Sequence, residues 1–158
     1  MHNPQCMVLL DNLRACNALV CETIGQFTDE AWVQVGVNRF QTPVMIANHI
    51  AETLAYFFRD DPDSEWDWGW PFRDKWELAE QQLPSQRQVL EFLDTTMAHI
   101  TAKLSVMDDS ALSEPYSAAQ ADTTRLSRYI YAIRHTMHHH GALSLLALQS
   151  GAPDGHWE

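Results

Sequence analysis

Apolar side chains in this chain recur at intervals of three and four residues in four separate stretches, and that pattern limits the possible folds more than any other feature. In the first stretch Leu9, Leu13, Cys16, Val20 and Ile24 form one stripe of an amphipathic helix, with Gly25 near its end and a polar break at Thr28 and Asp29. The second opens at Thr42 and Pro43, a capping residue ahead of a proline at the first helical position, and runs to Phe58. It is apolar around most of its circumference, as a helix buried by several neighbours should be. The third begins near Pro84 and Ser85 and carries Leu90, Leu93, Met97, Ile100, Leu104 and Met107 as a bundle seam. The fourth opens after Asp122, Thr123 and Thr124, continues to about Gln149, and stops ahead of Gly151 and Pro153. The nearest thing to a strand is the alternation from Trp66 to Trp70. The pattern predicts an all-α four-helix bundle.

The connections are uneven. Arg59 to Leu83 and Asp108 to Asp122 give long connections after helices 2 and 3, which allow helices adjacent in sequence to run parallel. A short helix is expected around Lys75 to Gln82. At 158 residues the length suits one domain, spanning 1–158, and neither a repeat nor a low-complexity tract divides it.

Charge narrows the partners. Lys and Arg total 10 against 21 Asp and Glu, a formal net charge of −11, so a phosphate backbone or an anionic membrane would be repelled. No apolar run approaches the roughly 20 residues of a membrane helix, and the first residues lack the basic-then-apolar pattern of a signal peptide. Cys6, Cys16 and Cys21 are odd in number and lack a metal-clip spacing, which suits reduced thiols in a cytoplasmic protein.

The histidines carry the functional question. His135 and His139 lie one helical turn apart, about 40° round the axis, the spacing by which two imidazoles of one helix reach one ion. His138 borders the same face and His140 points about 140° away from it. His49 stands mid-helix among Met45, Ile46, Ile50 and Thr53, where an imidazole without a partner is costly; from a facing helix it would complete a three-nitrogen site. Thr136 stands where a zincin would have its Glu, and the paired ExxH elements of a di-iron bundle are absent. A ligand set rich in imidazole and poor in carboxylate favours zinc, nickel or a related ion over magnesium or calcium. Ordinary packed histidines remain the competing reading of these residues.

The segment Ile46-Ala-Asn-His49-Ile-Ala-Glu52, followed by His135-Thr-Met-His-His139-His-Gly141-Ala-Leu143, resembles the DinB-like superfamily over nearly the whole chain. The family's four-helix bundle and its HxxxHxGxL element imply that His49, His135 and His139 are the metal ligands. Ala142 stands where the family often has Gln, a departure that touches no ligand. The resemblance implies a metal-dependent hydrolase or a transferase that activates a low-molecular-weight thiol.

Three imidazoles leave a fourth position on a tetrahedral ion for water, a thiol or substrate. Around it, Arg128 is a candidate clamp for a substrate carboxylate or phosphate, seven residues before His135, with Tyr131 four before it. Tyr56, seven after His49, is a candidate for the same cavity, and Glu52 for a general base or a partner to a ligand histidine. Surface pairing, core packing and solvation are the competing roles for these three. Trp66, Trp68 and Trp70 would share one side of an extended segment, as a lid, a pocket wall, a cover for the bundle end or part of a homodimer contact. The expected protein is a cytoplasmic metal enzyme with a small-molecule substrate. The alternatives are a non-catalytic metal- or small-ligand-binding bundle and a helical interaction protein whose histidines pack without metal.

Overall fold

A computed structural model of the chain describes residues 3–68, 71–72, 77–79 and 82–152. Within them run α1 (Pro4–Gly25), α2 (Asp29–Val33), α3 (Pro43–Phe58), α4 (Gln86–Val106) and α5 (Arg125–Gln149). The four long helices are those that the apolar intervals predict. Short 3₁₀ turns stand at Arg39–Gln41, Asp109–Ser113 and Ala118–Gln120. Among the described residues there is no strand, only an isolated bridge between Pro115 and Thr124. Half of the short helix expected around Lys75 to Gln82 lies outside the described residues, as does Trp70.

Local chemistry sets the helix ends. Ser85 accepts from the Gln88 amide while the Gln88 side chain reaches back to the Ser85 amide, a full capping box at the start of α4. Thr124 caps α5 by accepting from Ser127 N. Thr42 occupies the cap position of α3, but its hydroxyl donates to Arg39 O at 2.7 Å. Pro43 lacks an N–H, so one orphan donor of that first turn never exists. The polar break after α1 holds α2, capped by Thr28 and pinned by the indole N–H of Trp32 on Pro84 O at 2.8 Å.

Residues near the start of α1 lie beside the start of α5, and Thr23 meets His140 further along, so α1 and α5 are parallel. Asn3 reaches Ser105 and Gln86 reaches Ile24, so α1 and α4 are antiparallel. His49 faces His139 while Phe58 stacks on Tyr129, so α3 and α5 are antiparallel. It follows that α3 and α4 run the same way, and the bundle is up, down, down, up. The long connection after α3 makes that parallel step possible. The core packs Leu10, Leu13, Ile24, Ile46, Ile50, Leu93, Ile100 and Leu104 where the four helices meet, all essentially inaccessible. Nearly the whole circumference of α3 is buried, as its composition requires.

The connections are tied to helix ends. Asp109 accepts from Gln5 N and Cys6 N at 3.0 and 2.9 Å, capping α1 from a distant loop. Lys103 donates to Phe58 O and Arg59 O, closing the carbonyl end of α3. Asp63 accepts from Ala118 N and Ala119 N, and these bonds hold its carboxyl below the usual range. None of the described helices is long and apolar enough to cross a membrane.

Candidate metal centre

The antiparallel pair α3 and α5 builds the site. One turn of α5 separates His135 from His139, so both rings leave the helix on the side that meets α3, where His49 enters from the other wall. Ring centroids lie 4.5 Å apart for His135 and His139, 4.7 Å for His49 and His139, and 5.1 Å for His49 and His135. One nitrogen from each ring falls within 4.8 Å of the other two, and all three side chains are half-buried. Tetrahedral ligation at Zn–N of about 2.1 Å would bring the nitrogens to about 3.4 Å, inside the 4.8 Å within which they lie here. This donor set fits a borderline-soft divalent ion.

Burial keeps the two α5 rings neutral. It pushes His139 down to about 4, helped by His135 and then His138, and it lowers His135 with the help of His138. At neutral pH each therefore has the lone pair that ligation requires. The Thr53 hydroxyl lies 3.4 Å from His135 Nδ1 and donates to His49 O at 2.8 Å.

Aromatic edges surround the cluster. Phe40, in the 3₁₀ turn before α3, stands edge-on to His49 and His139 at 5.4 and 5.7 Å. Phe57 and Tyr131 approach His135 at 6.1 and 5.8 Å. Thr53 and Phe57 follow His49 by four and eight, so helical spacing could have found them. Phe40 lies outside any helix period and carries no such signal.

The other candidates lie around this centre. Glu52 is buried on α3, 3% exposed, and outside the close group of ligand atoms. Tyr56 lies about two turns further along α3 than His49, where its ring meets the loop after the helix. Its ring packs on Trp68 at 4.7 Å and Trp66 at 5.7 Å, with the Arg59 guanidinium 3.9 Å from its centroid. Arg128 lies over the rings of Phe57, Tyr116 and Tyr131 at 5.7, 5.3 and 5.8 Å, and donates to Gln120. It is thus one ring removed from His135 through Tyr131 or Phe57. His138 is exposed at the rim. His140 turns into the α1–α5 interface between the hydroxyls of Thr23 and Ser144, and burial lowers it too.

The chain matches no curated protein sequence. The model of the DinB superfamily matches residues 12–143, a span that holds all three clustered histidines and the four long helices in large part. With that match added to the all-α bundle and its histidine cluster, the chain belongs to the DinB superfamily.

Proposed function

We propose that His49, His135 and His139 bind one divalent transition-metal ion, zinc or nickel, and that the chain is a hydrolase or a thiol S-transferase acting on a small molecule. The observation that carries this reading is the convergence of three imidazoles on one point between two antiparallel helices. An ion held by these three histidines would supply Lewis acidity that lowers the pKa of water or of a low-molecular-weight thiol.

The chain's own residues supply the rest of the reading. Thr53 orients His135, and the ring edges of Phe40 and Phe57 keep bulk water from two sides of the cluster. Arg128, held by Gln120 and stacked on aromatic rings, is assigned a substrate carboxylate or phosphate. Glu52, one turn after His49, is assigned to orient that ring or to accept a proton from the attacking group. Tyr56, under Trp68, is assigned to the wall of the substrate pocket. The whole chain, 1–158, acts as one domain in a homodimer. Its free thiols support a reduced, cytoplasmic setting, and its net charge of −11 argues against nucleic acid as a partner.

The test is metal content of the tag-free protein by elemental mass spectrometry, beside His49→Ala and His139→Ala. About one ion per chain, absent from both variants, is the expected result. No ion after reconstitution with zinc and with nickel would sink the metal reading. Panels of thiol acceptors and of esters and amides then divide transferase from hydrolase. A loaded protein inert on both panels would be a binding bundle.

A further inference from the structure

α5 is packed on two sides and bare on a third. At 100° per residue, Leu126, Ile130, Ile133, Met137, Gly141 and Leu148 fall within about 80° of one another, about 160° round the helix from His135 and His139. Ile130 is 44% exposed, Leu148 45% and, at the stripe's edge, Leu145 55%, while Val8 of the neighbouring α1 is 61% exposed. The two ends of the stripe differ in relief. Near its start, α5 and α1 enclose a groove of about 470 Å³ lined chiefly by Val8, Leu9, Leu126, Ile130 and Ile133. Near its end, Leu145 and Leu148 project. Between them a Cβ added at Gly141 would meet nothing within 4 Å.

We propose that two copies of the chain meet on this face, related by a two-fold axis that crosses α5 at right angles midway between Met137 and Gly141. The two α5 helices then run antiparallel, and one axis sets Ile130 against Leu148, Ile133 against Leu145 and Met137 against Gly141. Each copy's projecting leucines enter the other's groove, and the longest side chain of the stripe lies over its missing one. Such self-complementarity is what an isologous contact requires.

Charge selects the same occupant. In a chain of net charge −11, α5 contains Arg125, Arg128 and Arg134 and no carboxylate, so copies meet here with the least acid repulsion. From Leu126 to Leu148 the stripe is about 33 Å long. With α5 lying on α5 over a width of about 10–12 Å, it offers about 330–400 Å² per copy before the walls of the partner's groove are added. The metal centre lies on the opposite side of α5 and stays open. This inference names the contact surface of the homodimer proposed above and does not depend on the metal chemistry.

The test is sedimentation velocity on the full chain, beside Ile130→Glu, Gly141→Gln and Trp68→Ala. Wild type and Trp68→Ala should sediment at twice the 18.1 kDa chain mass, while the other two dissociate with dimer affinity reduced about 30-fold or more. Gly141→Gln enters open space in the monomer, so a native circular dichroism spectrum there separates lost contact from lost fold. A wild-type monomer at tens of micromolar would overturn the proposal, as would dimers persisting in both α5 variants. Dissociation of Trp68→Ala alone would overturn it too, by moving the contact to the loop. Metal content of the same samples is read independently, so a metal-free dimer defeats only the metal reading and a loaded monomer only this one.

Discussion

Thr53 has one hydroxyl proton, and two main-chain carbonyls receive it: His49 O at 2.8 Å and Ile50 O at 3.1 Å. Toward His135 Nδ1, at 3.4 Å, the oxygen therefore acts as acceptor, which favours the tautomer with hydrogen on Nδ1 and the lone pair on Nε2. Replacing Thr53 with Val keeps the shape and removes the acceptor. Zinc affinity, measured by competition with a chromogenic chelator, should fall about tenfold, with Thr53→Ser close to wild type. An unchanged affinity in Thr53→Val would show that packing alone orients the ring. Away from the site, burial and then the Asp109 side chain push the Cys6 thiol from 9.0 up to about 11. A group raised in the folded state holds its proton there while the unfolded chain loses it. Its stabilising effect is therefore full below pH 9.0 and lost as pH rises toward about 11. Urea midpoints should fall between about pH 8 and pH 10.5, less steeply for Cys6→Ala; equal slopes would remove Cys6 from the account. At this scale the three clustered histidines were legible because residue type and spacing together define them, whereas the roles of Thr53 and Phe40 depend on what faces them across the bundle.

Elements were read where periodicity had length to act. The four long helices lie at or within a few residues of their expected ends, and the Ser85, Gln88 box explains why α4 starts so sharply. Ser85→Ala removes the acceptor for the Gln88 amide and should cost about 1 kcal/mol, seen as a lower urea midpoint at unchanged slope. Restoration by Ser85→Asp would confirm that the cap, and no change in the neighbouring loop, is responsible. α2 escaped because five residues, Asp29–Val33, are too few to show a period. Its signals were of another kind: Thr28 followed by Asp29 and Glu30 is a capped, acidic first turn, and Trp32 is an apolar anchor. The ends of the bundle were also opaque, since Asp109 capping α1 and Lys103 closing α3 join residues over 100 and over 40 positions apart. Tyr56 shows the same limit: its angle on α3 places it near the His49 direction, yet the loop residues Trp66 and Trp68 and the Arg59 guanidinium engage the ring.

At the scale of the molecule, the up, down, down, up arrangement brings α3 and α5 together antiparallel, and only that meeting makes three histidines into a site. The three histidines come from helices separated by over 60 residues of chain, so an ion bound there would link the α3 and α5 walls of the bundle directly. Binding to the folded state alone stabilises it, by about 2.7 kcal/mol when free ion exceeds the dissociation constant a hundredfold. For a chain of this length, each kcal/mol moves the melting temperature by about 2–4 °C, so chelator-stripped protein should gain about 5–10 °C on adding zinc or nickel. His139→Ala should lose that gain while the stripped variant melts near stripped wild type, because a half-buried imidazole without an ion contributes little. His138→Ala, at the exposed rim, should keep it. Differential scanning calorimetry on the three stripped proteins, with and without metal, reads all of these shifts at once. A gain that survives His139→Ala would place the stabilising ion outside the cluster and break the link between this bundle's topology and its chemistry.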